Sequence, residues 1–266
     1  MKACSLVPER FADGRHEAIR AGLRRAGLTA CDAPQAADLL VTWNLHRAAV
    51  RQAAAACEAR GGRVIVCEEG YTRRLVERPQ IAMALGGHNG SGVWYPAGPE
   101  RLRRLGLRLA PWQRGGESIL VCASRGMGSA AMREPPGWLA DVCGRLRRLT
   151  ERPLRVRGHP GKAYAERPLQ RDLAGCWAVV VWASNSATEA LARGLPVFYE
   201  APQIITAGAA ERGLARIERP SYPDRQPVFE RLAWAQWSLE EVAAGDPFRH
   251  LLLRRPAGET GDAGHR

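Results

Sequence analysis

An apolar run in the second half of the chain ends at Trp182 and leads into small polar side chains. Ser184, Asn185 and Ser186 come next, followed by Glu189 and a segment that closes with Gly-Leu-Pro-Val. Where a buried strand opens a helix in this way, backbone N–H groups and hydroxyls converge on one point, which predicts an anion site. The alternative is an ordinary helix start, in which Ser or Asn is the N-cap and Glu189 completes a capping box.

Two further polar loops follow apolar runs. In the first, two glycines let the backbone approach a phosphate that an arginine neutralises. In the second, Pro160 stiffens the turn that presents His159, whose imidazole can donate to a phosphate oxygen or protonate a leaving group. A plain turn and a structural histidine are the alternatives. The residues predicted to contact phosphate in these loops are Arg125, Gly126, Gly128, Ser129, His159 and Lys162.

Adjacent carboxylates, Glu68 and Glu69, end a β-like run in the first half of the chain, directly before Gly70. A carboxylate at a strand end can deprotonate an acceptor hydroxyl, particularly if its neighbour raises its pKa. The alternative is a capping or ion-paired acid, with Arg73 and Arg74 as its partners. Further polar candidates for the same cleft are Asn44, His46, His88 and Asn89.

Several familiar catalytic motifs are absent from the sequence. It contains no Asp-x-Asp pair, HExxH, Walker loop or Gly-x-Ser-x-Gly, so metal-dependent and serine-hydrolase mechanisms lose support. We expect neither a metal nor a resident cofactor. The seven cysteines are widely spread without a CxxC pair, a pattern typical of reduced core thiols in a cytosolic protein.

The elements that must position these residues alternate between β-like and helical segments, as in parallel sheets. Predicted strands cover residues 2–7, 39–43, 63–67, 118–123, 154–157, 178–182 and 196–199, and predicted helices cover 15–26, 48–60, 137–149, 169–174, 187–193 and 228–244. We predict an α/β fold of two Rossmann-like parallel-sheet domains facing a cleft, with a C-terminal helix packing back. The predicted domains are 1–114 and 115–255, followed by a disordered tail at 256–266, and ligands are expected beyond the carboxyl ends of the strands.

Composition bounds the class of protein. The 266 residues are enough for two compact domains. No run approaches the roughly 18 apolar residues of a membrane span, and the N-terminus has no secretory apolar region, so a cytoplasmic protein is expected. The net charge is +12; residues 1–116 hold 18 basic and 10 acidic residues, and the remainder 21 and 17. This asymmetry predicts an acidic partner for the first domain, the alternative being a solvated basic surface.

Taken together, these motifs resemble the GT-B glycosyltransferases, and within them the sialyl- and Kdo-transferase-like group that includes capsule-synthesis enzymes. That group carries an acidic Glu/Asp-Asp-Gly motif, then a His-Pro motif and a Ser/Thr-rich motif. Here Glu68-Glu69-Gly70, His159-Pro160 and Ser184-Asn185-Ser186 follow in the same order. The acidic motif departs from the group, because Glu69 stands where the group usually has Asp. The stretch at 189–197 also looks like the donor-domain pattern of many GT-B enzymes.

The resemblance implies roles for these residues. Glu69 would be the catalytic base, His159 would contact the donor phosphate or leaving group, and residues 184–186 would hold phosphate. A nucleotide-sugar would be the donor, bound as a co-substrate by the second domain together with Glu189. Glu68, Asn44, His46, His88 and Asn89 would line the acceptor side.

The chain also resembles proteins encoded by bacteriophages and prophages of GC-rich bacteria, a resemblance that by itself implies no activity. Some phages glycosylate modified bases in their own DNA with GT-B enzymes. The basic first domain would suit such an acceptor, since phosphate contacts by Arg dominate DNA affinity. The expected acceptor is therefore hydroxymethylated double-stranded DNA, or else a bacterial glycan, in the cytoplasm of a bacterial host. The alternatives are a nucleotide-sugar epimerase or hydrolase, and a non-catalytic DNA-binding protein that kept a transferase fold.

Overall fold

The structure, a computed structural model, describes residues 1–9, 11, 13–78, 80–124, 126, 132–159 and 168–253. Strands in this part of the chain are β1 (Lys2–Ser5), β2 (Thr29–Ala30), β3 (Leu39–Trp43), β4 (Arg63–Glu69), β5 (Gln80–Leu85), β6 (Ser118–Cys122), β7 (Leu154–Arg157), β8 (Cys176–Val181), β9 (Val197–Tyr199), β10 (Glu211–Arg212) and β11 (Gln236–Ser238). Its α-helices are α1 (Arg15–Arg25), α2 (Ala48–Ala59), α3 (Glu100–Leu105), α4 (Trp138–Leu149), α5 (Leu169–Leu173), α6 (Ser186–Ala192), α7 (Gln226–Ala233), α8 (Leu239–Ala244) and α9 (Asp246–Leu253).

The described strands form two sheets, ordered β11-β5-β4-β3-β1-β2 and β10-β9-β8-β6-β7. Every pair in the second sheet is parallel, as are the pairs among β1 to β4. The α/β class is thus confirmed, but the expectation of a wholly parallel first sheet is wrong, because β5 and β11 run antiparallel. Only residues 70–79 join β4 to β5, too few for the crossover helix that a parallel neighbour needs.

Both sheets are buried on their two faces. Successive side chains of a strand point to opposite sides of the sheet, and in each sheet the two sets pack into different apolar clusters. In the first sheet, Leu39 and Val41 belong to a cluster that continues into the second sheet, whereas Leu40 packs toward α2. In the second sheet Leu120 joins the continuous cluster and Val121 packs toward α4. One apolar core therefore runs between the two sheets and supports the strand ends that face each other.

The C-terminal segment departs from the predicted single helix over 228–244, which is wrong. The chain forms α7, leaves it for β11, and then forms α8 and α9. Gln236 is fully buried and accepts hydrogen bonds from the backbone N–H and hydroxyl of Thr72, which fixes β11 beside β5. Ser238 then caps α8 through a capping box with Glu241. Residues 236–253 therefore pack on the first sheet, although they fall within the range predicted for the second domain.

The other predicted strands and helices all form, with ends displaced by two residues or fewer. The segment around the predicted boundary at residue 114 lies against the C-terminal end of α6. Ala110 N–H donates to Ala192 O, and Gln113 N–H donates to Gly194 O. Gly194 has a φ of +83°, and a Cβ there would lie 2.0 Å from Pro111 O, so only glycine permits this approach. The described residues contain no helix long and apolar enough to cross a membrane.

Candidate active site

A cleft of about 550 Å³ opens where strand ends of the two sheets face each other. The predicted site residues that line it are Asn44, His46, Glu68, Glu69, His88, Asn89, His159, Ser184, Asn185, Ser186 and Glu189. Gly126 is described, with a φ of +62°, but is not among the lining residues. Arg125, Gly128, Ser129 and Lys162 lie outside the described residues. The structure therefore brings together both groups of motifs, those of the first half and those of the second.

Glu69, at the end of β4, is held by two arginines. Its Oε2 lies 2.7 Å from Arg73 Nη1 and its Oε1 3.2 Å from Arg15 Nη1. Arg15 is fixed in turn by Asp13 and by the ring of Trp43, whose centroid is 4.1 Å from the guanidinium carbon. The ion-paired alternative considered for this acid is therefore realised through Arg73, and Arg15 adds a second partner from α1.

Glu68 lies in a different environment from Glu69, although the two are adjacent. Its side chain is only 19% exposed, and its Oε1 lies 3.8 Å from His46 Nε2 and 3.7 Å from His88 Nε2. Burial raises the pKa of Glu68 to about 7. A carboxyl with a pKa near 7 is ionised in part at neutral pH and is matched to proton transfer at that pH.

The two imidazoles beside Glu68 meet edge to face, with ring centroids 6.2 Å apart. Burial, and then the neighbouring His46, lower the pKa of His88 to about 4. His88 is therefore neutral at pH 7, and its contact with Glu68 is not an ion pair. The result is a partly desolvated carboxyl bordered by an imidazole that carries no charge.

Asn89 joins the first half of the chain to the second. Its backbone N–H donates to the hydroxyl of Tyr71 at 2.8 Å. Its side-chain amide donates to Ala183 O at 2.6 Å, and its side-chain oxygen accepts from Ile205 N–H at 3.0 Å. Asn89 also has a φ of +52°, a conformation that asparagine tolerates better than most residues. Its carboxamide thus holds the loop that carries His88 against the residues preceding Ser184.

The second sheet contributes hydroxyls at the start of α6. Ser186 donates to Ser184 Oγ through its hydroxyl, at 2.9 Å, and through its backbone N–H, at 3.3 Å. Asn185 is the N-cap residue, but its side chain makes no capping hydrogen bond and instead accepts from Thr188 Oγ1. The capping box considered as the alternative for this segment is therefore absent, and Ser184 to Ser186 line the cleft.

Glu189, which the capping box would have engaged, is 7% exposed and lies between two arginines. Its Oε2 is 3.5 Å from Arg74 Nη1, and its Oε1 is 3.4 Å from Arg193 Nε. Because Arg74 follows β4 and Arg193 ends α6, this carboxylate bridges the two halves of the chain.

The remaining loops of the second sheet reach the cleft at the ends of β6 and β7. Ser124 and His159 line it, and Ser124 N–H donates to Glu134 Oε2 at 2.7 Å. Arg157 is buried beside them in an ion pair with Asp172. Among the described residues, no three His, Cys, Asp or Glu side chains are grouped so that they could hold a metal ion.

The sequence did not predict several of the residues that line the cleft. These are Trp43, Tyr71, Leu75, Cys122, Ala123 and Leu169, together with Arg73 and Arg74, which were considered only as ion-pair partners. Ser124, Arg157 and Gly158 also line the cleft; they belong to the two polar loops singled out in the sequence, although no contact was assigned to them. Tyr71 and Leu75 carry no signal that could have identified them, since they lie in turns between β4 and β5.

Two α/β units whose polar strand ends face each other make up the described fold, and this fold is similar to that of two solved glycosyltransferase structures. The chain is similar to the β-Kdo 2,7 transferase of Thermosulfurimonas dismutans KpsC, with a TM-score of 0.53 and 14% identity over 91% of this chain and 96% of that chain. It is also similar to the β-Kdo 2,4 transferase of the same KpsC, with a TM-score of 0.55 and 15% identity over 88% of this chain and 89% of that chain.

At these identities the likeness shows the fold alone. No protein-family model and no curated protein sequence matches the chain.

Proposed function

We propose that the protein is a glycosyltransferase that moves a sugar from a nucleotide-sugar donor to a hydroxyl acceptor. The observation that carries the proposal is the cleft itself, where two carboxylates from the first sheet face hydroxyls and an imidazole from the second. The fold shared with two Kdo transferases supports the same reaction class. Since the sequence has no Asp-x-Asp pair, the proposal includes no metal.

The second sheet would bind the donor. Ser184 and Ser186 present hydroxyls, and His159 is the imidazole at the end of β7. Hydroxyls and an imidazole can donate hydrogen bonds to the phosphate that leaves when its bond to the anomeric carbon breaks. The nucleotide-sugar is a co-substrate in this scheme, and no resident cofactor is required.

The first sheet would supply the base that takes the proton of the acceptor hydroxyl. The resemblance assigns this role to Glu69, which two arginines hold in place. The burial of Glu68 and its pKa of about 7 favour the adjacent carboxyl. We place the base within this pair, with Glu68 as the proton acceptor and Glu69 as the group that positions the arginines and the acceptor.

The first test is binding of the donor. Thermal unfolding of the protein is followed with a panel of nucleoside mono- and diphosphates and nucleotide-sugars. We expect one nucleotide to raise the melting temperature, because a ligand that binds only the folded state stabilises it. The shift should vanish in His159→Ala and in the double variant Ser184→Ala, Ser186→Ala. It should persist in Ser221→Ala, which removes a hydroxyl from the exposed Ser221 outside the cleft.

Absence of any shift, in protein shown to be folded, would contradict the proposal and favour a non-catalytic binding protein. Once the nucleotide is known, its sugar conjugates are offered with hydroxymethylated double-stranded DNA and with bacterial glycans. Consumption of donor without any acceptor would instead identify a hydrolase or epimerase. The acceptor is either DNA, as the charge predicts, or a glycan. The molecule that becomes glycosylated identifies which of the two it is.

A further inference from the structure

Two cysteines lie side by side at the edge of the first sheet. The parallel register of β1 with β2 pairs Ala3 with Ala30, and one further step along both strands places Cys4 opposite Cys31. The backbone continues the ladder to this point, since Cys31 N–H donates to Ala3 O at 3.0 Å. Cys4 and Cys31 therefore occupy neighbouring positions on adjacent strands.

Both thiols lie on the same face of the sheet. Cys4 is buried in the apolar cluster that contains Leu40 and Cys57, and Cys31, which is half-buried, packs against that cluster. Burial raises the pKa of the Cys4 thiol, and the nearby Cys31 raises it further. This influence of one thiol on the other agrees with the short separation that the strand register implies.

The spacing of the two positions suits a disulfide bond. Neighbouring strands lie about 4.8 Å apart, and disulfides join Cα atoms that are roughly 4.4–6.8 Å apart. Cys31 comes directly after the end of β2, so its backbone can adjust toward Cys4 without breaking a strand pair. Cys57 is less suited, because it lies on α2 and its Sγ is directed at Ala37 O and Arg63 O.

We propose that Cys4 and Cys31 are a redox-active pair, which a low-molecular-weight disulfide such as oxidised glutathione converts into a disulfide bond. Cys31, the more exposed thiol, attacks one sulfur of oxidised glutathione as its thiolate and releases one glutathione thiol. Cys4 then attacks the Cys31 sulfur of the mixed disulfide and releases the second glutathione thiol. Two protein thiols are thereby oxidised, one oxidised glutathione is reduced, and the two protons pass to the glutathione sulfurs.

The bond holds the outer edge of the first sheet. The edge strand β2 has only two residues and is paired with β1 alone among the described strands. A link between Cys4 and Cys31 encloses α1, whose Arg15 contacts Glu69 in the cleft. Because a cross-link restricts the unfolded chain, the oxidised protein is the more stable form. This pair does not depend on which reaction the cleft performs.

The test equilibrates the folded protein with oxidised and reduced glutathione and then blocks the remaining thiols with N-ethylmaleimide. Tryptic peptides are mapped without reduction; Cys4 and Cys31 fall in residues 3–10 and 26–47, which contain no other cysteine. We expect these two peptides to be linked, and the melting temperature of the oxidised protein to rise by roughly 5–10 °C. Dithiothreitol should reverse both changes.

Matched variants identify the pair. Cys31→Ala, at a half-buried position, should abolish both the link and the rise in melting temperature on oxidation. Cys57→Ala and Cys143→Ala should keep both, because the first removes the other thiol of the same cluster and the second removes a thiol on α4.

Three outcomes of the mapping would refute the proposal. They are glutathione that stays attached to Cys31 without a link, a link from Cys4 to Cys57, and thiols that all remain reduced in excess oxidised glutathione. The same mapping is repeated on protein unfolded in urea, where the link should lose its preference over other cysteine pairs. An equal yield of the link in folded and unfolded protein would show that the strand register does not direct it, and would also overturn the proposal.

Discussion

At the scale of single residues, the adjacent acids Glu68 and Glu69 show how one step along a strand changes chemistry. Both line the cleft, yet Glu69 is 45% exposed and paired with arginines, whereas Glu68 is 19% exposed beside two imidazoles. Side chains alternate along β4, so the register that pairs this strand with β3 and β5 decides which acid is desolvated. The sequence predicted that a carboxylate stands here, but not this difference, because register depends on the neighbouring strands.

The first residue-scale prediction concerns the reaction. Glu68→Gln should lower kcat by about 10²- to 10⁴-fold, the usual contribution of a general base, and Glu69→Gln should lower it less while raising KM. In the wild type, kcat/KM should rise with pH up to about 7 as Glu68 ionises, and this limb should disappear in Glu68→Gln. Steady-state kinetics from pH 5 to 9 provide the check. A larger loss of kcat in Glu69→Gln would assign the base to Glu69, as the resemblance does.

The second residue-scale prediction concerns stability. Burial raises the pKa of Glu68 from 4.5 to about 7, so between these values the folded state binds more protons than the unfolded state. The stability of the wild type relative to Glu68→Gln must therefore fall as pH rises from 4.5 to 7, and stay low above it. The change should amount to roughly 2–3 kcal/mol, at 1.36 kcal/mol for each unit of pKa. Urea unfolding of both proteins at pH 5 and pH 8 measures it; a pH-independent difference would contradict the burial of this carboxyl.

At the scale of elements, prediction succeeded where the local pattern agreed with the tertiary structure. The apolar run at Leu39–Trp43 and the helix at Arg15–Arg25 formed as expected. Gln80–Leu85 was missed, because its alanines are weak strand formers and its strand depends on pairing with β4 and β11 on either side. Gln236–Ser238 was missed because it is short and its pairing with β5 is distant in sequence. The sequence predicted which polar residues follow the strands. It did not predict the contacts that join the two sides of the cleft, such as those of Asn89 with Ala183 and Ile205.

The element-scale prediction concerns the loop that carries His88 and Asn89. A Cβ at Gly90 would lie 2.7 Å from both Gln203 Cβ and Ile204 N, so the loop could not keep its position against that backbone. Gly90→Ala should lower the free energy of unfolding by about 1–3 kcal/mol, as overpacking does. It should also weaken donor binding in the thermal-shift assay.

The control is Gly144→Ala. A Cβ at Gly144, within α4, meets nothing within 4 Å. Alanine there should be neutral or stabilising by up to about 1 kcal/mol. Equal stability of the two variants would show that the loop at Gly90 does not approach residues 203–204 so closely.

At the scale of the whole molecule, the first sheet is completed by the end of the chain. Gly22 of α1 lies so close to α8 that a Cβ there would be 1.9 Å from Val242 O, and Phe248 of α9 is fully buried. Arg101 of α3, 5% exposed, donates to both carboxylate oxygens of Glu241 and to Ala233 O. These contacts join α8 and α9, which lie within the predicted range 115–255, to elements of residues 1–114, and the division of the chain at residue 114 stays a prediction.

This packing makes a fragment experiment decisive. Residues 1–114 alone should lack a cooperative unfolding transition, because the edge of β5 and the apolar surface of α1 lose the elements that cover them. Joining residues 226–253 to this fragment through a flexible Gly/Ser linker should restore cooperative folding, since β11 then covers the β5 edge of the first sheet and α8 covers α1 again. Circular dichroism and urea unfolding of both fragments, with a scrambled 226–253 segment as control, measure the difference. Cooperative unfolding of residues 1–114 by themselves would contradict this prediction, because it would mean that the first sheet is stable without β11, α8 and α9.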